Sequence, residues 1–175
     1  MHINTFHLTA FGLLLIFLFA SIPANAQFQR GEKSVGARFG YVSTNESATM
    51  GLLFQYTISR HLRLAPEVSC VFKHHHRDAF SLDLNLHTPF PFSGDKFALY
   101  PLAGLNYSSW NVAQPKQIID EMDDVSTRYS RIGLNLGAGF ELRCSRTLKL
   151  GIEAKYTLTK RFSGAYVSAL IGYTF

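Results

Sequence analysis

The side chains with the most chemistry to offer are charges that recur on one parity of alternating apolar segments: Arg38, Arg63, Glu67, Lys73, Asp83, Arg131, Glu141, Arg143, Lys149, Glu153 and Lys155. The intervening apolar positions of those segments carry no charge at all. If the charged parity faces the inside of a closed structure, opposite signs at one level must pair in a hydrogen-bonded ionic network, and removing one partner would strand the other at a cost of about 3–5 kcal/mol. Chain direction places Arg38, Glu67, Asp83, Glu153 and Lys155 near mid-height, with Arg63, Glu141, Arg143 and Lys149 toward the end that carries the termini.

Other clusters offer less. In His74-His75-His76, adjacent residues of an extended chain point opposite ways, so only His74 and His76 could converge, and no further ligands can be placed beside them. The acidic run Asp120, Glu121, Asp123 and Asp124 lacks the spacing of a calcium loop. Both read as solvated loops, and no metal or cofactor is expected. His74, Ser81 and Ser130 fall at similar heights without forming a recognisable triad, so no catalytic residue is assigned. Cys70 and Cys144 fall toward opposite ends of the predicted strands and should both be free.

The elements that must position the charges are strands, because the apolar period is two. Ser34–Ser43 sets Val35, Ala37, Phe39 and Tyr41 against Gly36, Arg38 and Gly40. Similar alternation runs over 48–58, 62–73, 79–87, 96–107, 129–143 and 148–158, and ends in Ala165–Phe175. Pro66 is the awkward residue, since it removes a ladder donor and favours an edge or bulge. The result is eight predicted strands, each near the roughly 9–11 residues that a tilted strand needs to cross a bilayer. Ahead of them, Phe11–Ile22 is apolar and Ala24-Asn25-Ala26 has the small-residue pattern of a cleavage site. The expected division is a signal peptide over 1–26, a short lead-in over 27–33 and a barrel over 34–175.

Polarity chooses between a soluble sheet and a membrane barrel. Every strand glycine shares the charged parity, as the crowded interior of a narrow barrel requires and a water-facing surface does not. The fold class is therefore all-β: an eight-stranded antiparallel up-and-down transmembrane barrel, apolar outside and plugged by its own side chains. Tyr41, Tyr107 and Tyr129, with Trp110, are expected in one aromatic girdle, and Phe97, Tyr173 and Phe175 in the other. The polar segment Ser108–Arg128 reads as a long external loop. The net charge of +5 suits anionic lipid headgroups, and export makes nucleic acid an unsuitable partner.

These segments, among them SVGARFGYVS, LRLAPEVSCVFK, YPLAGLNYS, GLNLGAGFEL, LGIEAKYTL and AYVSALIGYTF, resemble the small outer-membrane β-barrels of Gram-negative bacteria. That group contains the OmpA transmembrane domain and the OmpX- and OmpW-type proteins, and the likeness is greatest to the short single-domain barrels of Bacteroidetes. The resemblance implies the bacterial outer membrane as location, lipid and lipopolysaccharide as surroundings, and a C-terminal signal read by the barrel-assembly machinery. Ser168, Tyr173 and Phe175 match that signal, whereas Leu170 stands where glycine is usual. The expected role is that of a monomeric structural or surface-interaction protein, with loop 108–128 as contact site. A narrow channel is the alternative, and a lipid-modifying enzyme, known among such barrels, a more distant one.

Overall fold

The computed structural model describes residues 30–74, 77–113, 126–160 and 163–175. The expected signal peptide, His75, His76 and the acidic run 120–124 lie outside the described residues. The chain forms β1 (Lys33–Val42), β2 (Ser47–Ser59), β3 (Leu62–His74), β4 (Arg77–His87), β5 (Phe90–Phe92), β6 (Phe97–Ala113), β7 (Ser126–Arg143), β8 (Leu148–Thr159) and β9 (Gly164–Thr174). All pairings are antiparallel; neighbours in sequence pair except that β4 and β5 both pair with β6, and β9 returns to β1 with Val35 opposite Tyr173 and Tyr41 opposite Val167. The three-residue β5 continues the register that β4 holds against β6, from His87↔Leu102 to Phe90↔Leu99. Pro89, which has no N–H to donate, lies in the interruption. The barrel is thus eight-stranded, with its fourth strand broken at that proline.

Alternation decides which way each side chain points. In β4, Ala79, Ser81, Asp83, Asn85 and His87 are buried, while Phe80, Leu82, Leu84 and Leu86 are exposed. The same holds in β2, where Thr49, Gln55 and Thr57 face inward and Met50, Leu52, Phe54 and Tyr56 face outward. The outer wall is consequently a continuous band of Leu, Ile, Val and Phe, far beyond the few hundred Å² of apolar patch that a water-soluble monomer displays. Polar residues dominate the inside, with Arg38, Arg63, Glu67, Asp83, Glu141, Arg143, Lys149, Glu153 and Lys155 all buried.

Pro66 neither ends nor bulges its strand. It pairs with Leu84 on one side, and on the other the β2–β3 pairs pass from Leu53↔Glu67 to Tyr56↔Leu64, skipping the step that contains it. Three expectations need correction. Lys73 is exposed near the end of β3 and does not enter the lumen. The segment 108–128 is strand at both its ends, because β6 continues to Ala113 and β7 begins at Ser126; polar inward residues there, such as Ser108, continue the polar lining of the lumen, and 114–125 lie outside the described residues. Trp110 and Tyr129 belong to no girdle. They sit directly opposite each other on β6 and β7, and Tyr129 and Val112 pack against a buried cluster of Val42, Val71, Ala79, Trp110 and Tyr166. That cluster fills the barrel at the end away from the termini.

Candidate functional site

The lumen is packed in tiers. Nearest the termini, Arg63 Nη1 donates to Glu141 Oε2 at 2.7 Å. Arg143 clamps Glu32 through two bonds of 2.8 and 2.5 Å, the parallel geometry that a planar guanidinium offers a carboxylate. Lys149 Nζ donates to Ser34 Oγ at 2.6 Å and to Gln55 Oε1, so its closest partners are neutral oxygens. A cavity of about 20 Å³ lies among Ser34, Gln55, Tyr100, Glu141 and Lys149, room for about one water.

An aromatic bridge joins this tier to the next. His87 stacks on Tyr100 with ring centroids 4.6 Å apart, and the Arg63 guanidinium carbon is 5.0 Å from the Tyr100 ring centroid. His87 Nδ1 lies 3.2 Å from Arg63 Nη2. Arginine can only donate, so Nδ1 accepts and the neutral ring carries its proton on Nε2. The Tyr100 hydroxyl donates to Glu153 Oε2 at 3.0 Å.

At mid-height Arg38 Nη1 lies 2.7 Å from Glu153 Oε1 and 3.1 Å from Glu67 Oε2. Lys155 Nζ joins Glu67 at 3.2 Å to Asp83 at 3.0 Å. The other Asp83 oxygen accepts from Asn106 and Asn135, both at 2.7 Å. Asn135 also donates to Asn85 at 2.9 Å and accepts from Thr157 at 2.8 Å. Among the described residues, five cations (Arg38, Arg63, Arg143, Lys149 and Lys155) thus share the lumen with five carboxylates (Glu32, Glu67, Asp83, Glu141 and Glu153). The balance explains how so many charges can lie away from water. Above them stands the apolar cluster, reached where Lys155 Nζ comes within 5.8 Å of the Tyr166 ring centroid.

Glycines make the long reaches feasible. Tyr100, Gly139 and Glu153 stand side by side on β6, β7 and β8, and the tyrosine ring crosses the bare Gly139 backbone to meet the glutamate. A Cβ on Gly139 would lie 2.3 Å from the ring. Gly104 serves in the same way between Asn85 and Asn135 on its two flanking strands.

Of the charges on the inward parity, Arg38, Arg63, Glu67, Asp83, Glu141, Arg143, Lys149, Glu153 and Lys155 lie inside, each beside a polar partner, whereas Arg131 is half-buried. Glu32, Tyr100 and His87 were not assigned to the network. Tyr100 and His87 share the inward parity, which is the signal that could have placed them, whereas Glu32 precedes the first strand and gives none. Outside the lumen, Tyr41, Tyr107, Tyr173 and Phe175 are exposed on the outer face, while Phe97 is half-buried and stacks with Phe92 and Phe140. Ser168 faces inward, opposite Gly40 and Glu153. Ser81 is buried in the lumen, Ser130 is exposed and accepts from the Tyr107 hydroxyl at 3.2 Å, and the His74 ring Nδ1 lies 2.9 Å from the Asn45 carbonyl. Among the described residues, no three His, Cys, Asp or Glu gather as metal ligands. Both cysteines are free: Cys70 is exposed on β3 and Cys144 lies in the turn after β7. Burial pushes the Cys144 thiol up, which disfavours the reactive thiolate.

A charged, filled interior inside an apolar wall is the inverse of a soluble barrel, and comparison with known proteins agrees. The family model described as "Outer membrane protein beta-barrel domain" matches residues 11–175. The chain belongs to that family. This outer-membrane barrel is similar in fold to the N-terminal barrel of Pseudomonas aeruginosa OprF, at 17% identity, with a TM-score of 0.62 over 83% of this chain and 98% of that one. Neisserial surface protein A gives a TM-score of 0.65 at 14% identity, over 82% of this chain and 96% of that one. The attachment invasion locus protein Ail of Yersinia pestis gives 0.59 at 16% identity, over 84% of this chain and 100% of that one. No curated protein matches. For an outer-membrane barrel with paired termini, the terminal end is periplasmic and the end capped by Trp110 is external.

Proposed function

We propose that this outer-membrane barrel is a closed, monomeric protein with a structural and surface-interaction role, held in lipid and lipopolysaccharide by its apolar wall. The observation that carries this reading is the filled lumen, in which a charge-balanced network and an apolar cluster lie in series from Glu32 to Trp110. A solute would have to displace ion pairs that have no other source of solvation. Specificity then belongs to the external end, where residues 114–125 join β6 to β7. The structural neighbour Ail is named for attachment and invasion and has been solved with the heparin analogue sucrose octasulfate, and adhesion through external segments is the corresponding role here. Planar-bilayer recording of refolded protein tests the closed lumen. Silence is expected, and steady single-channel steps would favour the narrow channel instead.

A further inference from the structure

The net charge of the chain is unevenly placed. Its 17 Lys and Arg stand against 12 Asp and Glu, and the charges of the lumen cancel. At the external end, together with the segments that join strands there, seven cations stand against six carboxylates. The periplasmic rim instead carries Arg30, Lys33, Arg60, Lys96 and Arg146 against Asp95, and residues 1–29 contain no Asp or Glu to offset them. Four of the five net positive charges therefore gather at this rim. Asp95 lies 3.7 Å from Arg60, and among the described residues no ion pair joins Arg30, Lys33, Lys96 or Arg146 to a carboxylate.

Two of these cations share one patch with the last aromatics. β9 ends between β1 and the turn that opens β8: the Thr174 N–H donates to the Thr147 carbonyl at 2.6 Å, and the Phe175 N–H to the Lys33 carbonyl at 2.9 Å. Lys33 and Arg146, both exposed, thus flank Phe175 from either side. Lys33 shares the outward parity of Val35, which sets its stem along the apolar wall with the ammonium at the wall's edge. Val35 and Leu148 each stand opposite Tyr173, so the cations lie one step beyond an exposed tyrosine. Along the barrel axis the patch therefore runs from apolar wall to aromatic ring to cation. A phospholipid runs in the same order, from acyl chain through glycerol to phosphate, whereas a soluble acidic polymer matches only the last level. The carboxyl group of Phe175 is the one acid in the patch, and two cations leave it net positive. A zwitterionic headgroup brings a cation of its own, so the charge favours an anionic one.

We propose that Lys33, Arg146 and Phe175 form a site for an anionic phospholipid of the periplasmic leaflet, the two cations taking the headgroup phosphate and the Tyr173 and Phe175 rings the glycerol and upper acyl chain. The inference takes from the preceding reading only which end is periplasmic, and the state of the lumen does not enter. Its test is electron paramagnetic resonance of the refolded chain in phosphatidylcholine vesicles that hold a trace of spin-labelled phosphatidylglycerol or spin-labelled phosphatidylcholine. The motionally restricted fraction reports the lipid at the wall. The phosphatidylglycerol label should associate about threefold or more above the phosphatidylcholine label, and molar salt should remove the excess. K33Q/R146Q should abolish most of it, whereas K73Q/K160Q, which removes two exposed cations of the external end, should leave it. Equal association of the two labels, an excess that survives K33Q/R146Q, or an equal loss in K73Q/K160Q would each overturn the proposal, with the heat-dependent gel shift showing every variant folded. Displacement by millimolar inorganic phosphate at matched ionic strength would overturn it as well, by marking a site for soluble anions. Steady conductance in a planar bilayer would sink the closed lumen and leave this lipid selectivity untouched, so the two failures are told apart.

Discussion

Among single residues, the partners of each charge decide what its loss costs. Arg38 is the closest cation to Glu153 and shares Glu67 with Lys155. Arg38→Met should therefore strand Glu153 with little beyond the Tyr100 hydroxyl, at about 3–5 kcal/mol. Lys149, held most closely by Ser34 and Gln55, leaves neutral groups behind, and Lys149→Met should cost clearly less. Urea midpoints of refolded protein in lipid vesicles would rank the two, and equal losses would contradict the tiered network. Gly139→Ala offers a second comparison. Its methyl would meet the Tyr100 ring, adding an overpacking cost of about 1–3 kcal/mol to the loss of a charge-assisted bond of about 1.5–3 kcal/mol. Tyr100→Phe removes only the bond, so the glycine variant should be the less stable of the pair. Period-two alternation exposed Arg38 and Lys149 in the sequence because charge contrasts sharply with an apolar run. It did not single out Tyr100, since an aromatic is at home on either face of such a strand, nor Glu32, which reaches the lumen only because the chain before β1 is hydrogen-bonded to Thr57.

At the level of elements, β9 is the closing strand. Its pairs with β1 run from Ser34↔Thr174 to Val42↔Tyr166, and the Phe175 N–H donates to the Lys33 carbonyl at 2.9 Å. Phe175 itself is 64% exposed on the outer face, so its side chain contributes little packing within the barrel. Deleting it should impair assembly in cells more than it lowers the stability of protein refolded in vitro. The heat-shifted fraction in isolated membranes, compared with the urea midpoint, would show this, and parallel losses in both would make Phe175 a structural residue first. Strand order, closure, β4 and β9 were legible because alternation within Arg77–His87 and Gly164–Thr174 is uninterrupted. The external half of the β6–β7 hairpin was not. Serine, asparagine and threonine facing a polar lumen read as loop, and Trp110 read as a membrane-surface aromatic because nothing in its neighbours reveals the buried cluster it completes.

Over the whole molecule, the closed lumen proposed above is sealed twice by different physics. On that reading the ion pairs at mid-height exclude solutes because their separation requires resolvating charge, whereas Val42, Val71, Ala79, Trp110 and Tyr166 exclude water by filling the upper lumen with largely apolar side chains. Two seals in series conduct only when both fail. Trp110→Ala removes the largest side chain of the upper cluster, and the network from Glu67 to Glu153 still blocks the path. Conversely, replacing Glu67, Asp83, Glu153, Arg38 and Lys155 by small neutral residues leaves the apolar cluster in place. Neither variant alone should produce channels in a planar bilayer, and their combination should produce small, steady steps. An eight-stranded barrel has an interior just wide enough for its own side chains, so even the combined variant should admit ions and water and exclude larger solutes. Conductance from Trp110→Ala alone would show that the ionic network is permeable and that the aromatic cluster is the working barrier.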